Sequence, residues 1–322
     1  MAFYSGSASS FEDLLTALAS ACATEGWVWA DGILSKGAAY IRPYTSAANT
    51  TSEGLGLLIQ GGTGKSGGAL TGASGVIPRL GRAGATAAMV DISFPVAYSI
   101  HVFDSPDEVY LFIRYSVDRF SWLAFGVSSV PGLPGTGLWL AACARRGYMS
   151  SGDLGGFSIR PDSGGGTGIN NSSSARCSPG LFWVSDRASN FTARQDCIHA
   201  NIDGEGWSGQ TGGGSGIQGF NAIYPVFNLI TYSPSPWNGE SILIPIQPHI
   251  WRASNKCSLV ADLGHARYVR IDNYEPEQII SIGPDQWKIY PFAQKNSEER
   301  DGATYGIAHS GTFGIAIRYD GP

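Results

Sequence analysis

Charge is scarce in this chain. Asp, Glu, Lys and Arg together make up 15% of its 322 residues, against roughly 25% in ordinary soluble domains. So thinly charged a surface lacks much of the repulsion that keeps free monomers apart, and it suits a subunit largely covered by neighbours. Basic clusters are also missing. No run of Lys and Arg exceeds the pair Arg145–Arg146, and the net charge is −5, so neither a phosphate-tracking surface nor a specific nucleic-acid partner is expected. Long hydrophobic runs are absent as well: the apolar stretches are strand-sized, well short of the ~18–20 residues of a membrane span. The opening Met1-Ala2-Phe3-Tyr4-Ser5 has neither a charged n-region nor an apolar h-region, so no signal peptide is expected. The five cysteines (Cys22, Cys143, Cys177, Cys197 and Cys257) are odd in number, widely spaced and without a CxxC. They read as reduced thiols of a protein made in a cytoplasm, not as a disulfide framework.

What is present is apolar and glycine-rich. Hydrophobic residues reach 43%, enough to bury a substantial core. Glycine stands at 44 of 322, about twice the usual share of ~7%. The amphipathic helix that stands out covers about Ser10 to Glu25. Ser9 or Ser10 can cap it, Glu12 and Asp13 lie in the first turn where the helix dipole favours anions, and Phe11, Leu14, Leu15, Leu18 and Cys22 share one face. Gly26 ends it. Trp27–Ala30 and Ile33–Ser35 then read as two strands turned tightly by Asp31-Gly32.

Beyond this point strand-type runs dominate, rich in aromatic and β-branched residues and punctuated by Gly and Pro. They are Ala38–Pro43, Leu55–Gln60, Met89–Phe94, Tyr98–Phe103, Val109–Tyr115, Trp122–Val127 and Leu138–Ala142. Shorter ones follow at Phe182–Ser185, Ile198–Ile202, Ile223–Tyr232 and Ile242–Ile246. The last third offers Leu259–Asp262, Tyr268–Ile271, Gln278–Ile282, Gln286–Pro291 and Phe313–Arg318. Gly61–Gly75, Ser150–Pro179 and Asp203–Gly219 read as Gly-rich loops. The expected fold is mainly β, with antiparallel, sandwich-like sheets, one N-terminal amphipathic helix and long Gly-rich loops. Residues 1–80 would form the helix with a small sheet and residues 81–322 the main body, unless the two make one domain. The segment Arg267–Tyr319 is expected to supply central strands of the main sheet.

Each candidate for chemistry has a plainer reading beside it. Gly61-Gly62-Thr63-Gly64-Lys65-Ser66 suggests a phosphate loop, yet Ile59 stands where the pattern needs its first glycine, and no helix opens after it. Cys197 and His199 share one face of a strand and could pair for nucleophilic catalysis or begin a metal site, but no second Cys/His pair accompanies them. His101, His249, His265 and His309 are isolated. Carboxylates gather at Asp104/Asp107/Glu108, Asp203/Glu205 and Glu298/Glu299/Asp301. Asp203, Glu205 and Trp207 superficially suit a glycosidase, although Asp203-Gly204 and Asp301-Gly302 are also what turns prefer. No cluster follows the calcium-loop pattern. The nine tryptophans are scattered along the chain, which favours packing over a sugar-stacking platform. No catalytic, cofactor-binding or metal-ligating residue is assigned, and no enzyme activity or cofactor is expected.

Three stretches together resemble a family of virion proteins encoded by tailed phages and prophages. The first is Phe11–Gly37, with Glu25-Gly26-Trp27 and Ala30-Asp31-Gly32-Ile33-Leu34-Ser35-Lys36-Gly37. The second joins Asp107-Glu108-Val109-Tyr110, Trp122-Leu123-Ala124-Phe125-Gly126 and Leu133-Pro134-Gly135-Thr136-Gly137. The third runs through Arg267–Asp272, Asp285–Pro291 and His309–Asp320. The resemblance implies a component of the phage particle and supplies no catalytic residue to carry over. The expectation is a structural tail or baseplate subunit, or a neck subunit, located in the virion. Its partners would be copies of itself in a ring and other tail, baseplate or neck proteins. A particle-displayed receptor- or carbohydrate-binding protein is the alternative, and a polysaccharide or cell-wall hydrolase ranks last.

Overall fold

A computed structural model describes residues 1–47, 55–83, 92–117, 119–146, 177–179, 181–182, 195–208, 220–221, 236–238, 240–252, 256–293, 295 and 313–321. The protein is mainly β, with antiparallel sheets and, among the described residues, a single α-helix near the N-terminus. In chain order the elements are β1 (Ala2–Ala8), α1 (Phe11–Thr24), β2 (Val28–Ala30), β3 (Ile33–Lys36), β4 (Ala39–Ser46) and β5 (Leu55–Gly62). Next come β6 (Gly64–Ser66), β7 (Ala69–Thr71), β8 (Arg79–Ala83), β9 (Val96–Asp104), β10 (Asp107–Ser116), β11 (Arg119–Val127) and β12 (Leu138–Arg146). Short strands follow as β13 (Cys177–Pro179), β14 (Asp196–His199), β15 (Trp207–Ser208), β16 (Phe220–Asn221) and β17 (Ile244–Pro245). The remainder are β18 (His249–Arg252), β19 (Lys256–Leu259), β20 (Ala266–Arg270), β21 (Ile279–Ile282), β22 (Asp285–Pro291) and β23 (Phe313–Arg318).

Local rules account for the N-terminal elements. Ser10 caps α1 by accepting from the Asp13 backbone N–H at 3.1 Å, and Gly26 leaves the helix at φ +84°. Phe11, Leu14, Leu18 and Cys22 form its buried face, while Leu15 is half-buried. The turn between β2 and β3 places Asp31 at φ 54° and Gly32 at φ 74°, the two positive values that a two-residue hairpin turn requires.

The main sheet runs β1-β9-β10-β11-β12-β8-β5-β4-β3-β2, with β13 and β14 also on β12 and β15 on β14. Its pairings are antiparallel except β8 with β12. Residue 80 lies inside this sheet, so strands from 2–46 and 96–146 share one layer. The sheet curls until both ends reach α1: β1 and β9 touch the helix from one side, and β2, β4 and β5 from the other. Lys36 on β3 and Asp107 on β10 then meet at 2.7 Å.

The centre of this sheet is buried on both faces. Along β10, Val109, Leu111 and Ile113 enter the core shared with α1, while Tyr110 and Phe112 point the other way. In β11, Leu123 and Phe125 oppose Phe120 and Trp122; in β12, Leu138 and Leu140 oppose Trp139. The strand period of two therefore separates an aliphatic-rich face from an aromatic-rich one. Against the aromatic face packs the C-terminal sheet, ordered β17-β20-β23-β22-β21. Tyr268, Tyr290, Ile315 and Ile317 meet Phe112, Trp122 and Trp139 in one core. Trp122 Nε1 donates to Phe292 O at 2.9 Å, and the Phe112 and Tyr290 rings stack with centroids 3.7 Å apart.

Several sequence expectations change in the structure. The segment 267–319 forms its own sheet instead of entering the main one, although β23 is its central strand. The run expected at Leu259–Asp262 is shifted, since β19 ends at Leu259; likewise Ile242–Ile246 shrinks to Ile244–Pro245. Of Met89–Phe94, residues 92–94 are not strand and 89–91 lie outside the described residues. Phe182 lies in a turn; the rest of Phe182–Ser185, all of Ile223–Tyr232 and most of 150–179 also lie outside.

Gly61–Gly75, expected as a loop, is mostly strand, with only the turn at 67–68, residue 63 and residues 72–75 outside strands. Gly61 and Gly62 complete β5, and β6 and β7 form a small hairpin turned at Gly67. Close approach explains the glycines: a Cβ at Gly61 would lie 2.6 Å from Trp207, and one at Gly62 would lie 2.9 Å from Leu70. Trp207 is held there by its Nε1, which donates to Gly72 O at 2.8 Å. Composition that read as flexibility is here a packing requirement.

Candidate functional site

The sequence candidates separate in space and take up structural contacts. Lys65 and Ser66 sit in the β6–β7 hairpin, with no helix behind them. Cys197 is buried in the core under α1. His199 Nδ1 accepts from the Thr136 N–H at 3.0 Å, with its ring 5.2 Å from that of Trp207, and partial burial lowers its pKa. Nδ1 is thus occupied as an acceptor.

Among the acids, Asp203 makes a two-point contact with Arg252, at 2.8 Å to Nε and 2.5 Å to Nη2. That contact holds its carboxyl below the usual carboxylate range. Glu205 is exposed beside it. Asp104 is exposed, whereas Asp107 pairs with Lys36. Glu108 is wholly buried and accepts from Gly264 N at 2.7 Å, His265 N at 3.0 Å and Tyr110 Oη at 2.7 Å. It joins the end of the β9–β10 hairpin to the loop ahead of β20. Glu298, Glu299, Asp301 and His309 lie outside the described residues.

Tryptophans divide in the same way. Trp27, Trp122, Trp139, Trp207 and Trp287 are buried, and only Trp29 and Trp237 are exposed large apolar rings among the described residues. No group of three or more metal-ligating side chains gathers among the described residues, and no described helix is long and apolar enough to cross a membrane.

A cleft of about 360 Å³ lies where the β1–β9–β10 end of the main sheet meets β22 and the chain before β21. Phe3, Tyr98, Arg114, Glu277 and Lys288 line it. Lys288 shares a strand face with Tyr290, so alternation carries its stem inward onto an aromatic floor. Its ammonium lies 4.6 Å from the Phe3 ring centre, 5.6 Å from that of Tyr319 and 5.9 Å from that of Tyr290. Loss of water lowers its pKa, and the Glu277 carboxylate at 3.8 Å acts against that. Glu277 holds φ at 66°, with its N–H donating to Ile289 O at 2.7 Å. Its other oxygen stands 3.5 Å from Arg114 Nη1.

Below the cleft His101 is fully buried among Phe3, Phe103, Phe112 and Tyr290, its Nε2 2.9 Å from Tyr290 Oη. Burial, reinforced by Lys288, pushes its pKa down to about 3, so it is a neutral ring. Arg114 is far along the chain from Glu277 and Lys288, and the three carry no motif. The one trace in the sequence is a lysine set between the apolar residues Trp287 and Ile289 on the Tyr290 face of β22.

The described residues form a mainly β protein in which a large N-terminal sheet, with α1 on one face, packs its other face against a five-stranded C-terminal sheet. No family model matches the chain, and the search of curated proteins gives no match.

Proposed function

We propose that this protein is a structural subunit of a tailed-phage particle, in a tail, baseplate or neck ring, and that it acts by assembly. The observation that carries the reading is the state of the strand edges. β2 ends the main sheet with Val28 57% and Trp29 39% exposed, and β21 ends the C-terminal sheet with Ile279 43% and Ile282 37% exposed. Neither strand has a second strand partner among the described residues. Edges of this kind, apolar and short of charge, are where another chain adds a strand, and in a free monomer they are a liability. The low charge content supports the same reading, because few ions would need to lose water in a large contact. Copies related by a rotation that closes would form a ring, in contact with other tail, baseplate or neck proteins.

Sedimentation at physiological salt should show oligomers, and Ile282→Lys, whose cross-strand partner is Asp285, should shift them toward monomer without lowering the melting temperature. A wild-type protein that stays a clean monomer at high concentration contradicts the assignment. Imaging of particles carrying a tagged copy then tests the virion location directly.

A further inference from the structure

We infer that the cleft over Lys288 binds a small ring-shaped molecule bearing a carboxylate, an acidic monosaccharide in size and chemistry. Lys288 carries an unmet donor. The Lys288 side chain is only 12% exposed, yet its ammonium has no hydrogen-bond acceptor among the described residues. Its nearest counter-charge, Glu277, stands at 3.8 Å, and its other neighbours are ring faces. Ring faces attract a cation but cannot accept three directed N–H bonds. A shielded ammonium with its donors open to a cleft is therefore a site for an acceptor from outside.

Charge selects the kind of acceptor. Arg114 and Lys288 against Glu277 leave the cleft one positive charge in excess. Arg114 is fixed at the rim by two bonds to Val117 O, at 3.0 and 2.5 Å, so it is placed before any ligand arrives. A carboxylate reaching Lys288 would gain charge-assisted bonds where water is partly excluded. Size and lining select the rest of the molecule. The cleft, about 360 Å³, falls at the small end of ligand pockets, which span roughly 300–1,000 Å³. Phe3 and Tyr98 supply apolar ring surface and Ser5 offers a hydroxyl, while the Ser99 hydroxyl is turned toward Glu277 at 3.5 Å. That mixture fits a ring with one apolar face and several hydroxyls. Every lining residue belongs to one copy, so the cleft is complete within a single chain.

Calorimetric titration of the full chain with glucuronate, glucose and inorganic phosphate tests it. Glucuronate should bind at one site, with glucose and phosphate each at least ten-fold weaker. Lys288→Met should weaken glucuronate at least ten-fold while circular dichroism stays native. Glu277→Gln should tighten it several-fold, because the internal carboxylate no longer competes; this second variant keeps the test decisive if Lys288→Met does not fold. Equal binding of glucose would overturn the carboxylate requirement, and phosphate binding as tight as glucuronate would overturn the ring requirement. Glucuronate binding unchanged in both variants, or absent from the wild type, would overturn the site itself.

Discussion

Replacing Glu108 by Gln should change how stability depends on pH, in a direction the burial of this residue dictates. Burial pushes the Glu108 carboxyl up to about 7 from an ordinary 4.5, against the opposing pull of Tyr110, the Gly264 and His265 N–H groups and Arg267. Between those two values the folded chain holds a proton that the unfolded chain has released. The stabilising contribution is therefore complete below pH 4.5 and is lost as pH rises through 7. At about 1.4 kcal/mol per pH unit, that window is worth about 3 kcal/mol. Glutamine does not titrate. The stability of wild type minus that of Glu108→Gln should thus rise by about 3 kcal/mol from pH 7.5 to pH 4.5. His101 works in the opposite sense, since its pKa near 3 lies below the ordinary 6.5 and its contribution is lost on acidification. It is present in both proteins and cancels in the difference. Urea unfolding followed by tryptophan fluorescence at several pH values gives the curve. A difference that is flat, or that shrinks as pH falls, refutes the argument that loss of water dominates at Glu108.

Trp122→Ala removes a fully buried ring and its bond to Phe292 O, and should cost about 3–5 kcal/mol, read as a lower urea midpoint. An effect under about 1 kcal/mol would mean that the two sheets do not rely on this contact. Gly61→Ala should destabilise by about 1–3 kcal/mol because the new methyl meets Trp207; an unchanged melting temperature would show that Trp207 steps aside freely. Deleting residues 313–322 removes β23 from between β20 and β22, and should abolish cooperative unfolding and not merely weaken association. A truncated protein with native circular dichroism and melting temperature would recast this segment as an arm.

The sequence by itself determined the elements whose causes lie within a few residues. Helix α1 follows from Ser10, its acidic first turn, its apolar face and Gly26. The β2–β3 turn follows from Asp31-Gly32, and β23 from the alternation of Phe313, Ile315 and Ile317. Such features are local, because a cap, a turn or a strand face is specified by neighbours along the chain. Pairing partners were not determined this way. That β12 joins β8 in parallel, and that the C-terminal strands build a separate sheet, depends on which distant apolar faces cover one another. Gly61 shows the limit most clearly: glycine reads locally as freedom, and only the position of Trp207, far along the chain, makes it a requirement for space. The Lys288 cleft has the same origin. Phe3, Arg114, Glu277 and Lys288 come from four separate strands or loops, and their charges acquire meaning only when packing strips water from the lysine and sets the carboxylate 3.8 Å away.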